Sequence, residues 1–178
     1  MTHDPPKLAA LAYAGRGTGD ATLAGLAQRL ARDGVRLAGM VQTSACRAVA
    51  GRAEMTLEDL ARGTRLAISQ DLGRHGRGCR LDAGALETAA AQALGGLRDG
   101  ADLVILSKFG RREAEGGGFR QVIEAAVAAD IPVLIGVSSE HRAAWLAFAE
   151  HLAVTLHGAT EAEAWVRRAV RPRVREDA

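Results

Sequence analysis

The sequence predicts a three-layer α/β domain, in which a mainly parallel sheet is covered by helices on both faces and carries an inserted antiparallel hairpin. Two observations lead to this fold class. Strand segments alternate with helical segments of roughly ten residues or more, which is typical of right-handed crossovers between parallel strands. The segments Leu103–Leu106 and Ile131–Val137 are almost continuously apolar, as in strands that are buried on both faces. The exception is the segment 52–69, where two short strands predict the hairpin.

Length and composition indicate an ordinary globular chain. It has 178 residues, of which 48% are hydrophobic and 25% charged, and its formal net charge is +2. We expect one domain over residues 1–178, with flexible tails at 1–7 and 171–178. The charge balance gives no general case for nucleic acid or membrane binding. No apolar run approaches the ~20 residues that a membrane span needs, and the start MTHDPPK does not resemble a signal peptide.

We therefore expect a cytoplasmic protein without nucleic-acid or membrane partners. The oligomeric state stays open, a homo-oligomer included. Cys46 and Cys79 cannot form a metal site alone, so no metal site is predicted.

The elements of the first half follow from apolar periodicity and turn signals. Asp33-Gly34 is a helix-stop signal, and Met55 and Leu57 alternate with polar residues as in a half-buried strand. The predicted elements are a strand at Leu8–Tyr13, a helix at Asp20–Ala31, a strand at Val35–Gln42, and the hairpin strands Arg52–Leu60 and Arg65–Ser69.

The second half begins with Gly73–Arg80, which has too much glycine and charge to pack and should be an exposed loop. Asp82 then provides an N-terminal cap for an Ala-rich helix. The predicted elements are a helix at Leu81–Gly100, a strand at Leu103–Leu106, a loop at Ser107–Gly118, a helix at Phe119–Ala129, a strand at Ile131–Val137, a helix at Glu140–Glu150, a short edge strand at Leu152–Leu156 and a terminal helix at Ala159–Val170.

The turn after the first strand is the most informative motif. Its glycines Gly15, Gly17 and Gly19 lead into a helix, and backbone N–H groups and the helix dipole converge at such a junction to form an anion cradle. A P-loop would continue with Lys and then Ser/Thr. Here Asp20 follows instead, with Thr22 two residues further on. A carboxylate in place of the lysine reverses the sign of the charge next to a bound phosphate. We therefore expect the turn to bind an anion but not to support efficient hydrolysis of nucleoside triphosphates.

Two other interpretations of the turn stay open. Gly15–Gly19 also fits a tight strand-to-helix turn with no ligand, in which Asp20 is favoured by the helix dipole. A dinucleotide fingerprint is the weaker alternative, because the second strand ends in Val41-Gln42 where an acid for the ribose would be expected.

The loop Gly73–Arg80 suggests an oxyanion clamp. Guanidinium groups hold tetrahedral oxygens by paired hydrogen bonds, which makes Arg77 and Arg80 candidate ligand residues. Cationic neighbours would also make the thiol of Cys79 more reactive. The alternative is a solvated surface loop.

The segment Lys108–Gly118 follows a central strand, at the edge where open α/β sheets place their ligands. It supplies Lys108, Arg111 and Glu113 as candidate ligand residues. The alternative is a salt-bridged connector that caps a helix. If this segment and Gly73–Arg80 meet above the sheet, they form one positively charged pocket.

The order of elements resembles that of a small family of P-loop nucleoside triphosphatases found in archaea, bacteria and animals. Members have a Gly-rich loop, a hairpin after the second strand and an acidic motif Asp-Glu-Ile-Gly-x-x-Glu at a strand end. Gly110 and Glu113 match this motif, whereas Ser107 and Lys108 replace its acidic pair. The resemblance implies the fold, and the replacements argue against the activity.

A second resemblance extends over nearly the whole chain. It is to a bacterial domain family of unknown function that is often encoded near molybdate-transport or nitrogenase genes. The matching strings are Ile68–Gly73 (ISQDLG), Arg77–Asp82 (RGCRLD), and Phe109–Gly116 (FGRREAEG) followed by Phe119-Arg120. This resemblance implies an association with molybdenum metabolism.

Together these observations predict an anion- or nucleotide-binding protein on a degenerate P-loop scaffold, with molybdate and a nucleotide as the two candidate ligands. No catalytic residue is predicted. A divergent nucleoside triphosphatase and an interaction subunit without a small ligand are the alternatives. The predicted ligand-binding residues are Gly15, Gly17, Gly19, Thr22, Arg77, Cys79, Arg80, Lys108, Arg111 and Glu113.

Overall fold

The structure, a computed structural model, describes residues 5–15, 17–49, 52–70 and 81–170, with the backbone alone for 44–49 and 52–54. Seven strands and six α-helices lie within these ranges. In chain order they are β1 (Leu8–Tyr13), α1 (Thr18–Arg32), β2 (Leu37–Val49), β3 (Arg52–Asp59), β4 (Arg65–Ala67), α2 (Ala83–Arg98), β5 (Leu103–Phe109), α3 (Arg111–Ala114), α4 (Arg120–Ala128), β6 (Val133–Ser138), a 3-10 turn (Ser139–His141), α5 (Arg142–Ala149), β7 (Ala153–His157) and α6 (Gly158–Ala169).

The strands form one sheet in the order β4-β3-β2-β5-β6-β1-β7. Strand β1 pairs in parallel with β6 and β7, and β5 pairs in parallel with β2 and β6. Strands β3 and β4 are antiparallel additions beside β2. The predicted parallel interior and the inserted hairpin are therefore confirmed, and the carboxyl ends of β1, β5 and β6 lie at one edge of the sheet.

Helices cover both faces of the sheet, as the apolar strands require. On one face, α2, α4 and α5 bury apolar side chains that include Leu86, Ile123 and Trp145. On the other face, α1 and α6 bury Leu23 and Trp165 among others. The two cores meet only through the sheet, which gives the predicted three layers.

Most predicted element boundaries lie within three residues of the observed ones. Asp82 is the N-cap of α2, as predicted, and accepts a hydrogen bond from the Ala85 N–H at 3.0 Å. Strand β2 is longer than predicted and continues to Val49, because its second half pairs with β3. Strand β4 is shorter and ends at Ala67, after which Ser69 forms an isolated bridge with Leu81.

The prediction of a continuous loop over Ser107–Gly118 is wrong in part. Strand β5 continues to Phe109, whose ring is buried in the core, and α3 adds one helical turn. The pairing of β5 with β6 shifts register between Leu106 and Phe109. Ser107 and Lys108 thus stand in an irregular strand end, not in a free loop.

Candidate functional site

The turn between β1 and α1 forms the centre of the candidate site. Gly17 is the N-cap of α1 and has φ = 82°, a left-handed conformation that favours glycine. Thr18 Oγ1 donates a hydrogen bond to the Gly15 carbonyl at 3.2 Å. The N–H of Ala21 bonds to the Gly17 carbonyl, so the N–H groups that precede it in the helix have no intrahelical acceptor. These groups point to the carboxyl edge of the sheet.

Gly19 lies in the first turn of α1, against the ring of Tyr13. A Cβ atom added at Gly19 would lie 2.7 Å from Tyr13 Cγ, which is too close for any side chain. A Cβ atom at Gly136 on β6 would lie 3.2 Å from Tyr13 Cε1 and 3.1 Å from Leu23 Cδ1. Two glycines therefore make room for the tyrosine ring between β1, β6 and α1.

Asp20, which follows Gly19 where a P-loop would have lysine, is buried. Its side chain is 7% exposed, and Oδ1 has no hydrogen-bond partner within the described ranges. Burial raises the pKa of the Asp20 carboxyl above its usual value, although the positive charge of Lys108 partly offsets the effect. Burial, together with the nearby Asp20 charge, raises the pKa of Tyr13 to about 12.

The end of β5 contributes one buried and one exposed polar residue. Ser107 is 1% exposed, and its Oγ accepts a hydrogen bond from the backbone N–H of Gln42. Lys108 is exposed and close enough to Asp20 for its charge to act on that carboxyl. The positive charge that acts on Asp20 is thus supplied by β5, two strands away from β1 in the sheet.

Glu113 stabilises the backbone around α3. It is 3% exposed, Oε2 accepts a hydrogen bond from the Gly110 N–H at 2.9 Å, and Oε1 accepts one from the Phe119 N–H at 3.0 Å. A Cβ atom at Gly118 would lie 2.9 Å from Glu113 Cδ. This carboxylate organises the segment, and neither oxygen is directed to solvent.

The other predicted ligand residues divide into two groups. Thr22 donates from Oγ1 to the Thr18 carbonyl at 2.9 Å, and Arg111 pairs with Glu115 at 2.7 Å. Arg77, Cys79 and Arg80 lie outside the described residues, as does the whole predicted loop Gly73–Arg80. One pocket formed by that loop and Lys108–Gly118 therefore stays a prediction.

Within the described residues, no group of three or more His, Cys, Asp or Glu side chains is arranged to hold a metal ion. No described helix is long and apolar enough to cross a membrane.

Sequence reasoning missed a pocket of about 340 Å³ beside the turn. It lies between the ends of β1, β6 and β7 and helix α5. The sequence signal for this pocket is alanine at every second position, Ala10 and Ala12 in β1 and Ala14 just after it. These small side chains leave one face of the strand flat. The residues that line it are Ala10, Ala12, Tyr13, Ala14, Val137, Ser138, Ser139, Arg142, Trp145, Leu146, Thr155 and His157.

Two solved structures share this architecture. A human cancer-related nucleoside triphosphatase superposes with a TM-score of 0.58 at 16% identity, covering 84% of this chain and 87% of that one. THEP1 from Aquifex aeolicus superposes with a TM-score of 0.61 at 14% identity, covering 88% and 92%. At these identities the likeness shows the fold alone, and it confirms the predicted resemblance to small P-loop nucleoside triphosphatases.

Sequence comparison finds one curated relative and one family. The molybdenum import ATP-binding protein ModC 2 of Bradyrhizobium diazoefficiens is 34% identical over 165 residues, which are 92% of this chain. The chain spans only 18% of the length of that protein. A family described as "Protein of unknown function (DUF2478)" matches residues 8–165. The chain therefore belongs to the DUF2478 family.

Proposed function

We propose that the chain binds a small anion, either a nucleotide or an oxyanion, at the turn between β1 and α1, and that it does not hydrolyse nucleoside triphosphates efficiently. One observation carries the proposal. The unbonded N–H groups at the start of α1 follow the left-handed Gly17 at the carboxyl edge of a P-loop-like sheet, and the charge of Lys108 acts on Asp20 in the same helical turn. Backbone donors and a helix dipole stabilise an anion at such a position.

Asp20 limits the charge that this site accepts. Its carboxylate lies in the first helical turn, so it repels an anion that approaches the same N–H groups. Because burial already raises its pKa, an arriving anion should be accompanied by proton uptake at Asp20. Asp20→Asn should accordingly strengthen anion binding and remove most of its dependence on pH.

Molybdate is the first oxyanion to test, because a relative that is 34% identical to this chain is a molybdenum import ATP-binding protein. ADP is the corresponding nucleotide, and tungstate serves as a second tetrahedral oxyanion. Titration calorimetry at low ionic strength should detect at least one of the three, with an affinity that falls as salt is added.

The chain offers a matched pair of variants, since Lys7 and Lys108 are its two lysines. Lys7 precedes β1 at the opposite edge of the sheet and pairs with Asp130 at 3.7 Å. Lys108→Ala should weaken anion binding by about 1.5–3 kcal/mol, the cost of one charge-assisted contact, which is roughly 10- to 150-fold. Lys7→Ala should leave binding unchanged.

Equal effects of the two lysine variants would contradict this placement of the site. Absence of binding by molybdate, tungstate and ADP would favour the interaction-subunit alternative. Turnover of ATP at the rate of an ordinary enzyme would favour the divergent nucleoside triphosphatase.

A further inference from the structure

The pocket beside the turn has a flat floor. Ala10 and Ala12 of β1 present methyl groups to the face of the sheet that carries α5. Thr155 and His157 continue this floor on β7, which pairs with β1 in register Ala10–Thr155 and Ala12–His157. Ala10 is buried, whereas Ala12 is half-buried and Thr155 and His157 are exposed, so the eight-residue helix α5 does not cover the carboxyl end of this floor.

One wall of the pocket is aromatic and rigidly held. Trp145 of α5 is 2% exposed, and its ring lies 5.3 Å from that of Phe109 at an interplanar angle of 74°. Leu146, which is 48% exposed, and the exposed Arg142 stand at the mouth. The pocket thus combines an apolar interior with a guanidinium group that can stack on a planar ring.

The pocket adjoins the Gly-rich turn along the chain, at the carboxyl end of β1. Tyr13 and Ala14 line the pocket, and Gly15 follows them directly in the chain. A ligand with an anionic group at the start of α1 can therefore place a second, uncharged group over the floor. The imidazole of His157 and the hydroxyl group of Thr155 are polar groups that line the pocket, and the Ser138 hydroxyl, which also lines it, is hydrogen-bonded to His141 Nδ1 at 3.1 Å.

We propose that this pocket holds the base of a nucleoside phosphate whose phosphate lies on the turn between β1 and α1. The proposal rests on the proposed function and narrows it from anions in general to nucleotides. A flat alanine floor and an arginine at the mouth suit a planar heteroaromatic ring, which is uncharged and carries hydrogen-bonding edges. A volume of about 340 Å³ is at the lower end of ligand pockets, generally ~300–1,000 Å³, and suits one base with part of its ribose.

The test compares probes that carry the nucleoside base, the phosphates or both. Titration calorimetry is performed with ADP, with pyrophosphate and with adenosine. GDP is included to show whether the pocket accepts both purines. We expect ADP or GDP to bind at least tenfold more tightly than pyrophosphate, because only the nucleotides contact the pocket.

Substitutions in the pocket then distinguish its contribution to binding from that of the turn. Ala12→Leu fills the floor, and Arg142→Ala removes the guanidinium group from the mouth. Each should weaken nucleotide binding about tenfold and leave pyrophosphate binding unchanged. Ala164→Leu and Arg168→Ala, at exposed positions of α6 on the opposite face, are the matched controls. Arg142→Ala, which changes an exposed side chain, gives the answer if Ala12→Leu fails the folding check by circular dichroism.

Tryptophan fluorescence provides a second readout. The chain has two tryptophans, and Trp165 lies in the other core, where its Nε1 donates to the Pro6 carbonyl at 3.1 Å. In a Trp165→Phe background, ADP should change the emission of Trp145, whereas pyrophosphate should not.

The outcomes distinguish the two proposals. If pyrophosphate and the nucleotides bind equally and neither pocket variant matters, the base pocket is wrong and anion binding stands. If adenosine binds and pyrophosphate does not, the pocket is supported and the anion site fails. If none of the probes binds, the base pocket is overturned, and binding of molybdate or tungstate alone would then show that the turn accepts an oxyanion and not a nucleotide.

Discussion

At the residue scale, Tyr13 reports directly on the packing of the candidate site. It is the one tyrosine in the chain, so the ultraviolet absorbance of phenolate titrates this residue alone. Burial of the ring, and secondarily the charge of Asp20, raises its pKa to about 12 from an ordinary value of 10.0. A pH-jump titration read before unfolding should therefore show a midpoint near 12. Asp20→Asn should lower the midpoint only in part, because burial is the larger cause.

The raised pKa of Tyr13 also makes the stability of the protein depend on pH. The folded state holds the Tyr13 proton more tightly than the unfolded state, so the free energy of unfolding should fall as the pH rises from about 10 to about 12. A titration midpoint near 10 would contradict the burial of the ring against Gly19. It would also remove the reason for a glycine at that position.

The candidate site combines features that the sequence displays with others that it hides. The sequence displays Asp20 after the last glycine of the turn, and Ser107 and Lys108 where the small P-loop family that it resembles has an acidic pair. The fit of the Tyr13 ring against Gly19 and Gly136 was not visible. It depends on how α1 lies across the sheet and on the neighbouring strand β6, which comes more than a hundred residues later.

At the scale of the element, two glycines of α1 provide a matched comparison. A Cβ atom at Gly19 would collide with Tyr13, whereas one at Gly25 would meet only the Arg29 guanidinium at 3.6 Å. Gly19→Ala should destabilise the protein by about 1–3 kcal/mol through overpacking. Gly25→Ala should stabilise it by about 0.5–1 kcal/mol through helix propensity. Urea denaturation measures both, and a stabilising Gly19→Ala would show that the ring does not occupy this position.

The segment around α3 depends on a single carboxylate. Glu113→Ala would leave the N–H groups of Gly110 and Phe119 without their acceptor, one on each side of the short helix. We expect a loss of roughly 1.5–3 kcal/mol for each charge-assisted bond removed. Glu115→Ala, which removes an exposed partner of Arg111 from the same segment, should change stability little. Equal stability of the two variants in urea denaturation would mean that Glu113 does not organise this segment.

This dependence explains why the segment was predicted as a loop. Charge and three consecutive glycines indicate a turn by composition. The observed strand end and helical turn are instead stabilised by the core packing of Phe109 and by hydrogen bonds that span positions 110 to 119. Contacts of this kind leave no periodic pattern in the local sequence, so they could not be predicted from it.

At the scale of the whole molecule, the sequence predicted the parallel sheet but not the order of its strands. Apolar runs identify strands that are buried on both faces, whichever neighbours they have. The position of β1 between β6 and β7 follows only from the assembled fold, and it creates the pocket between α5 and the edge strand. The P-loop-like turn could be predicted from residues adjacent in the chain. The pocket could not, because its floor and wall join segments about 140 residues apart.

We expect the protein not to hydrolyse nucleoside triphosphates efficiently. Phosphoryl transfer needs a cation on the phosphates and an acidic side chain for the magnesium ion. We assign the first position to Asp20, which is buried. We assign the second to the end of β5, which has Ser107, bonded to the Gln42 N–H, and the exposed Lys108. Purified protein with magnesium and ATP or GTP should therefore show turnover near background.

Restoring one part of the machinery should not restore the reaction. Asp20→Lys supplies the missing cation, but the strand end still offers no carboxylate to hold magnesium, so we expect no gain in turnover. A steady-state rate of about 1 per second or more, typical of enzymes, would contradict this prediction for either protein. The rate would have to vanish in Gly19→Ala, since otherwise a contaminating enzyme would explain it. Such a result would mean that another basic residue and another metal ligand have taken over the two roles.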